Sequence, residues 1–126
     1  APRVLQQCAK LYSFAQQSHG QLQVIRYKED LLAYSQQRLE HQSRHPHAPI
    51  PFTAGYLGIE GLQALDGELG NVDVFFDAGV RTMGLAHFYD NPVAGSQHGF
   101  QKGGLTPFGK SVVSRMNQLH ILVDLA

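Results

Sequence analysis

The chain contains 126 residues, a length suited to one compact domain. Ten Lys and Arg residues balance ten Asp and Glu residues, and without a basic excess the composition argues against a nucleic-acid partner. The apolar runs fall far short of the roughly 18 residues that cross a bilayer, so insertion of this segment into a membrane is excluded. The first residues show no targeting leader, and the localisation is left open.

The N-terminal part of the chain predicts a helix, a strand and a second helix. Apolar positions at helical spacing run over residues 2–18 and include the single cysteine, Cys8, which we expect to be a buried and inert thiol. A short apolar strand is predicted over 21–25. A second helix begins at 28, where acidic residues suit a helix N-terminus. The buried side of that helix is predicted to consist of Leu31, Leu32, Tyr34 and Leu39.

Three of the seven histidines lie in a proline-rich stretch over residues 41–51, which the prolines predict to be a loop. His41, His45 and His47 could bind a metal through neutral imidazoles, but the stretch itself contains no carboxylate or cysteine to join them. We therefore interpret this histidine cluster as part of a solvated linker rather than as a metal site.

The remaining elements continue the alternation. They are predicted to be a strand over 53–59, a helix over 65–78, a strand over 80–86, a helix that begins at Thr106 and Pro107, and a strand over 121–125. Strands that alternate with helices imply a parallel sheet, so the predicted fold class is α/β in a single domain over residues 1–126.

Glu60 and His87 each lie at the carboxyl end of a predicted strand, where ligand sites of parallel sheets are found. Glu60 has two interpretations: a metal ligand, or a carboxylate neutralised by a cation such as Arg81. His87 is either a hydrogen-bonded histidine that supports the fold or a residue of a site. The residue types alone leave both alternatives open.

Two further patterns suggest other chemistry. Residues 104–111 match the phosphate-loop formula, but they lack the buried strand that precedes such loops, and Pro107 has no N–H to offer a phosphate. A helix capped by Thr106 explains the same residues without a ligand. Ser96 and His98 could be a nucleophile and its base, although no nucleophile-elbow motif surrounds Ser96.

The second half of the chain contains several ordered motifs at fixed spacing. They are LGIEG at 57–61, ALDGEL at 64–69, GVR at 79–81, LAH at 85–87, DNP at 90–92, GLTPFG at 104–109 and VDLA at 123–126. Together these motifs resemble the membrane (renal) dipeptidase family of zinc metallopeptidases. The resemblance covers at least residues 56–126 and, more loosely, residues 24–39. It implies that the predicted α/β units form about half of a TIM-type (β/α)₈ barrel, whose mouth holds two zinc ions.

The resemblance also implies roles for two residues and shows three departures. Glu60 resembles the carboxylate that bridges the two zinc ions, and His87 resembles the histidine that contacts the scissile carbonyl of the substrate. The family's N-terminal His-x-Asp metal motif does not occur in this chain, and the further zinc histidine would follow Ala126. Gln63 stands where the family commonly has a histidine that is not itself a metal ligand.

These comparisons of motifs lead to a functional prediction. We expect a fragment of a zinc-dependent dipeptidase that would act on dipeptides in a longer protein and would be inactive by itself. The alternative is a non-catalytic scaffold domain or a degenerate homologue, and a phosphate-loop nucleotide-binding protein is a remote third. Because a partial barrel leaves sheet edges unpaired, we also expect a homo-oligomer.

Overall fold

The computed structural model describes all 126 residues and divides the chain into two compact units. One unit combines Ala1–Cys8 with Leu57–Ala126, and the other is Ala9–Tyr56. The first helix, α1 (Pro2–Gln17), contributes residues to both units. The single domain expected over residues 1–126 stays a prediction. None of the four α-helices has the length and apolar content that crossing a bilayer requires.

The unit Ala9–Tyr56 contains a two-stranded parallel sheet. After α1 ends, His19 and Gly20 adopt left-handed backbone angles, with φ of 53° and 87°, which confirms the helix end predicted there. The strand β1 (Leu22–Val24) follows, then α2 (Lys28–Arg44), then β2 (Thr53–Gly55). The two strands pair in parallel, so the helix between them is a crossover connection.

The second helix is longer than predicted. It continues to Arg44, and the amide of His45 still donates to the carbonyl of His41 at 2.8 Å, so the loop expected from residue 41 begins four residues later. The physical reason is that a proline restricts the backbone of the residue immediately before it. The proline that follows His45 therefore constrains His45 but not the helical turn that ends at Arg44.

The prediction of a buried side for α2 is wrong. None of its residues is buried, and Leu31, Leu32 and Leu39 are more than half exposed. Helical spacing identifies which side chains share a face, but it does not tell whether another element covers that face.

The unit that contains Leu57–Ala126 holds a three-stranded parallel sheet in the order β3–β4–β5. Its elements are β3 (Leu57–Glu60), a 3₁₀ helix (Leu62–Leu65), α3 (Asn71–Asp77), β4 (Val80–Gly84), α4 (Pro107–Gln118) and β5 (Leu122–Asp124). Alternating helices and parallel strands confirm the predicted fold class. The sheet stays open, and β3 and β5 are its edges. Homo-oligomerisation through such edges stays a prediction.

Two predicted elements are divided in the structure. The strand expected over 53–59 is interrupted at Tyr56, so that β2 and β3 belong to different sheets. The helix expected over 65–78 is broken because Asp66 and Gly67 adopt φ of 54° and 75°, which ends the 3₁₀ helix and delays α3 until Asn71. Glycine takes this left-handed conformation without steric cost, so the Asp-Gly pair acts as a turn.

The largest fully buried side chains all belong to the unit that contains Leu57–Ala126. They are Phe75, Leu62, Leu65, Met83, Met116, Val72, Val80, Val93 and Val112. Cys8 is buried as well, and burial raises the pKa of its thiol, as expected for an inert cysteine. Arg115 on α4 forms a two-point ion pair with Asp73 on α3, and these bonds lower the pKa of the Asp73 carboxyl.

Candidate active site

Glu60 and His87 meet at one edge of the three-stranded sheet. Glu60 is the last residue of β3 and pairs in register with Gly84, the last residue of β4. Because the two strands run in parallel, their carboxyl ends lie side by side. His87 follows β4 by three residues, and its Nε2 atom lies 3.5 Å from Oε2 of Glu60. The structure therefore brings together two residues that stand 27 positions apart in the sequence.

The carboxylate of Glu60 is not buried. Its side chain is 76% exposed, while that of His87 is 42% exposed. Arg81, the cation considered as its partner, donates from Nη1 to the carbonyls of Phe76 and Val80 at 2.8 and 2.9 Å. The structure thus pairs Glu60 with His87 instead, and an exposed carboxylate requires no buried cation for its stability.

The turn after β3 is tied to the end of β4. The amide of Gly61 donates to the carbonyl of Gly84 at 3.0 Å, and the amide of Leu62 donates to the carbonyl of Leu85 at 3.2 Å. Gly61 has φ of 86°, and a Cβ there would lie 2.4 Å from Oε1 of Gln63. The side-chain oxygen of Gln63 therefore lies against the turn that follows Glu60, where the glycine leaves room for it.

A cleft of about 460 Å³ opens beside His87. Its lining includes His87, Phe88, Ser96, His98, Gly104 and Asp124. The ring of Phe88 packs against that of His87, with centroids 4.1 Å apart. The cleft joins the end of β4, the end of β5 and the long loop between β4 and α4, so it is open to a small molecule at the same edge as Glu60.

Ser96 and His98 do not form a nucleophile and base. The hydroxyl of Ser96 donates to the carbonyl of His87 and accepts the backbone N–H of His98 at 3.1 Å. The hydroxyl proton is directed at a carbonyl, not at an imidazole nitrogen. These bonds give Ser96 a structural role in the loop.

The phosphate-loop pattern is the start of α4. The side chain of Thr106 accepts the amide of Gly109 at 2.9 Å, and the backbone carbonyl of Thr106 accepts the amide of Lys110 at 2.9 Å. Pro107 occupies the first turn, as the capped-helix interpretation predicts. Amides that a phosphate would need are therefore committed to the helix cap.

The residues of this chain do not complete a metal site. No group of three or more His, Cys, Asp or Glu side chains is arranged to hold a metal ion. A catalytic zinc takes three protein ligands, and the carboxylates of Glu60 and Asp124 at this edge do not belong to such a group. His41 and His45 lie at the end of α2, with ring centroids 5.0 Å apart. The ring of His41 packs edge-on against Phe52. The prediction of a solvated linker is therefore wrong for His41.

Comparison with known proteins decides the family. The family pattern of membrane dipeptidases, peptidase family M19, matches residues 2–126. The chain belongs to this family. The match spans nearly all of the sequence, and it confirms the resemblance drawn from residues 56–126 and, more loosely, from residues 24–39.

Curated relatives align with a shorter stretch. An uncharacterized dipeptidase of Schizosaccharomyces pombe, C3A11.10c, is 39% identical over 72 residues, which is 56% of this chain and 18% of that protein. Dipeptidase aclJ of Aspergillus oryzae is 35% identical over 72 residues, 56% of this chain and 17% of that protein. Mouse dipeptidase 3 is 36% identical over 76 residues, 56% of this chain and 15% of that protein. The aligned stretch thus spans less than a fifth of these relatives.

A solved structure shares the fold. An amidohydrolase from Pseudomonas aeruginosa superimposes with a TM-score of 0.73 at 20% identity, over 94% of this chain and 32% of that one. At this identity the similarity concerns the fold alone. It places the alternating helices and parallel strands of this chain within a larger amidohydrolase structure.

Proposed function

We propose that this chain supplies one part of a dipeptide-hydrolysing site, with Glu60 and His87 as its reactive edge. Membership of the membrane dipeptidase family supports the reaction class and the dipeptide substrates. The observation that carries the residue assignment is the approach of His87 Nε2 to Glu60 Oε2 at 3.5 Å, at the carboxyl edge of a parallel sheet.

In this proposal the two residues have different tasks. Glu60 is an exposed carboxylate and is suited to act as one ligand of a zinc pair whose other ligands lie outside these 126 residues. His87 is partly exposed on the cleft, and its Nε2 is suited to donate a hydrogen bond to the scissile carbonyl oxygen of a dipeptide. Its present contact with Glu60 holds that nitrogen toward the edge where the carbonyl would bind.

The proposal includes the behaviour of the chain by itself. Because one carboxylate cannot hold two zinc ions, these 126 residues alone are expected to bind no zinc tightly and to hydrolyse no dipeptide. The second candidate is a non-catalytic scaffold, which the lack of a three-residue metal cluster also favours.

Zinc titration calorimetry and a dipeptide-hydrolysis assay on the purified chain test this expectation. We expect no stoichiometric binding at micromolar zinc and no product. Two zinc ions bound per chain together with turnover would contradict the claim that the site is incomplete. The scaffold candidate is supported instead if a longer polypeptide that contains residues 1–126 and the missing ligand types also fails to turn over dipeptides.

A further inference from the structure

The long loop that connects β4 to α4 runs over residues 85–106 and includes His87. It contains four glycines, and its only strand-like contact is an isolated antiparallel bridge between Ala94 and Leu105. A loop of this length without a hydrogen-bonded ladder needs other partners for its backbone groups, and side chains bind several of them here. The side chains that do so here are therefore informative about what holds His87.

Asp90 binds the two arms of the loop to each other. Its Oδ1 accepts the amide of Ser96 at 2.8 Å, and its Oδ2 accepts the amide of Gln101 at 2.7 Å. Hydrogen bonds from backbone amides hold the pKa of Asp90 below its usual range. The amide of Ser96 contributes most, followed by that of Gln101, and those of Lys102 and Phe100 contribute less. An ionised carboxylate suits this role because it accepts from several donors and offers none in return.

The glycines of the loop allow these contacts. A Cβ at Gly99 would lie 1.9 Å from Oδ1 of Asp90, and a Cβ at Gly95 would lie 2.0 Å from the carbonyl oxygen of Gly103. Any larger residue at either position would displace the carboxylate or separate the arms. The composition of the loop is thus explained by the closeness of its two arms around Asp90.

Ser96 extends this connection to His87. Its exposed fraction is 4%, and no other polar residue of the chain is buried. While its amide is held by Asp90, its hydroxyl donates to the carbonyl of His87 and accepts from the amide of His98. A continuous series of hydrogen bonds therefore runs from the far arm of the loop through Asp90 and Ser96 to the backbone of His87.

We infer that Asp90 and Ser96 are positioning residues that hold His87 beside Glu60 at the carboxyl edge of the sheet. A separate set of hydrogen bonds, made by Asn91, ties the loop to the residue that follows β4. The Nδ2 of Asn91 donates to the carbonyl of Leu85 at 2.9 Å, and its Oδ1 accepts the amide of Val93 at 2.8 Å. That this placement of His87 matters for catalysis rests on the proposed function, whereas the placement itself does not.

The test compares Asp90→Asn and Ser96→Ala with the unchanged 126-residue chain by NMR, using the cross-relaxation signal between the His87 ring and the Glu60 side chain. Asparagine keeps the shape of Asp90 but loses one acceptor, and alanine removes both bonds of the Ser96 hydroxyl. We expect the signal to be strong in the unchanged chain and to disappear in both variants, while circular dichroism stays that of the folded protein.

Asp73→Asn is the matched control, because Asp73 is also a carboxylate with a lowered pKa but binds Arg115 on α4. It should lower stability and leave the His87 signal intact. The inference is overturned if Asp90→Asn and Ser96→Ala keep the signal, or if Asp73→Asn loses it equally. In a longer polypeptide that hydrolyses dipeptides, Ser96→Ala should lower kcat more than it changes KM. If the signal is lost but no such polypeptide is active, the proposed function fails and the placement of His87 by this loop stands.

Discussion

The two compact units of this chain differ in what stabilises them. The unit that contains Leu57–Ala126 holds every one of the largest fully buried side chains, and its strands and helices surround them. The unit Ala9–Tyr56 has a 17-residue helix with no buried residue and only two short paired strands. Burial of apolar surface is the main favourable contribution to folding, so the unit that contains Leu57–Ala126 has an interior that can hold a site rigidly. The Glu60–His87 edge lies on that unit.

The largest expected difference between the units is in the free energy of unfolding when a leucine in each unit is replaced by alanine. Leu65 is 0% exposed and Leu32 is 57% exposed. Leu65→Ala should lower the free energy of unfolding by about 2–5 kcal/mol, because it removes buried methyl groups and leaves a cavity. Leu32→Ala should change it by less than about 0.5 kcal/mol. Urea denaturation followed by circular dichroism measures both, and equal losses would contradict the contrast between the units.

A smaller difference is expected at the helix caps. The hydroxyl of Thr106 accepts the amide of Gly109 and donates to the carbonyl of Pro92 at 2.6 Å, so it joins α4 to the preceding loop. Thr106→Ala should lower the free energy of unfolding by about 1 kcal/mol, the usual cost of a lost cap. Thr106→Ser keeps the hydroxyl and should behave like the unchanged chain.

The corresponding cap of α2 sharpens the comparison. The carboxylate of Asp30 accepts the amides of Tyr27 and Arg26 at 2.8 and 2.9 Å. Since α2 buries no side chain, Asp30→Ala should speed hydrogen exchange within α2 without moving the main unfolding midpoint. A midpoint shift as large as that of Thr106→Ala would show that α2 unfolds together with the buried interior.

Sequence patterns predicted the alternation of elements well, and their ends less well. Thr106 and Pro107 mark the start of α4 because the cap is a local interaction. The exposure of Leu31 and Leu32 could not be predicted, since it depends on which elements are packed nearby and not on spacing. The break at Asp66-Gly67 had a local signal, an Asp-Gly pair, which the helical spacing around it obscured.

The candidate site was predictable in part for the same reason. Strand ends in a parallel sheet share an edge, so Glu60 and His87 could be expected there before any contact was known. The roles of Asp90 and Ser96 could not be predicted, because they depend on the folded path of a loop that brings the amide of Gln101 to Asp90. The Asp-Asn-Pro run at 90–92 was a signal of a tight turn, but not of its connection to His87.

The most direct test of the account measures zinc content in a longer, zinc-loaded polypeptide of this family that contains residues 1–126. We expect Glu60→Gln to lower bound zinc sharply, because under the proposed function it removes the charge of a zinc ligand, and Glu68→Gln to have no effect. His87→Gln should keep the zinc and lose turnover, because His87 is assigned to the substrate. Full zinc content and activity in Glu60→Gln would contradict the central claim that this carboxylate belongs to the site.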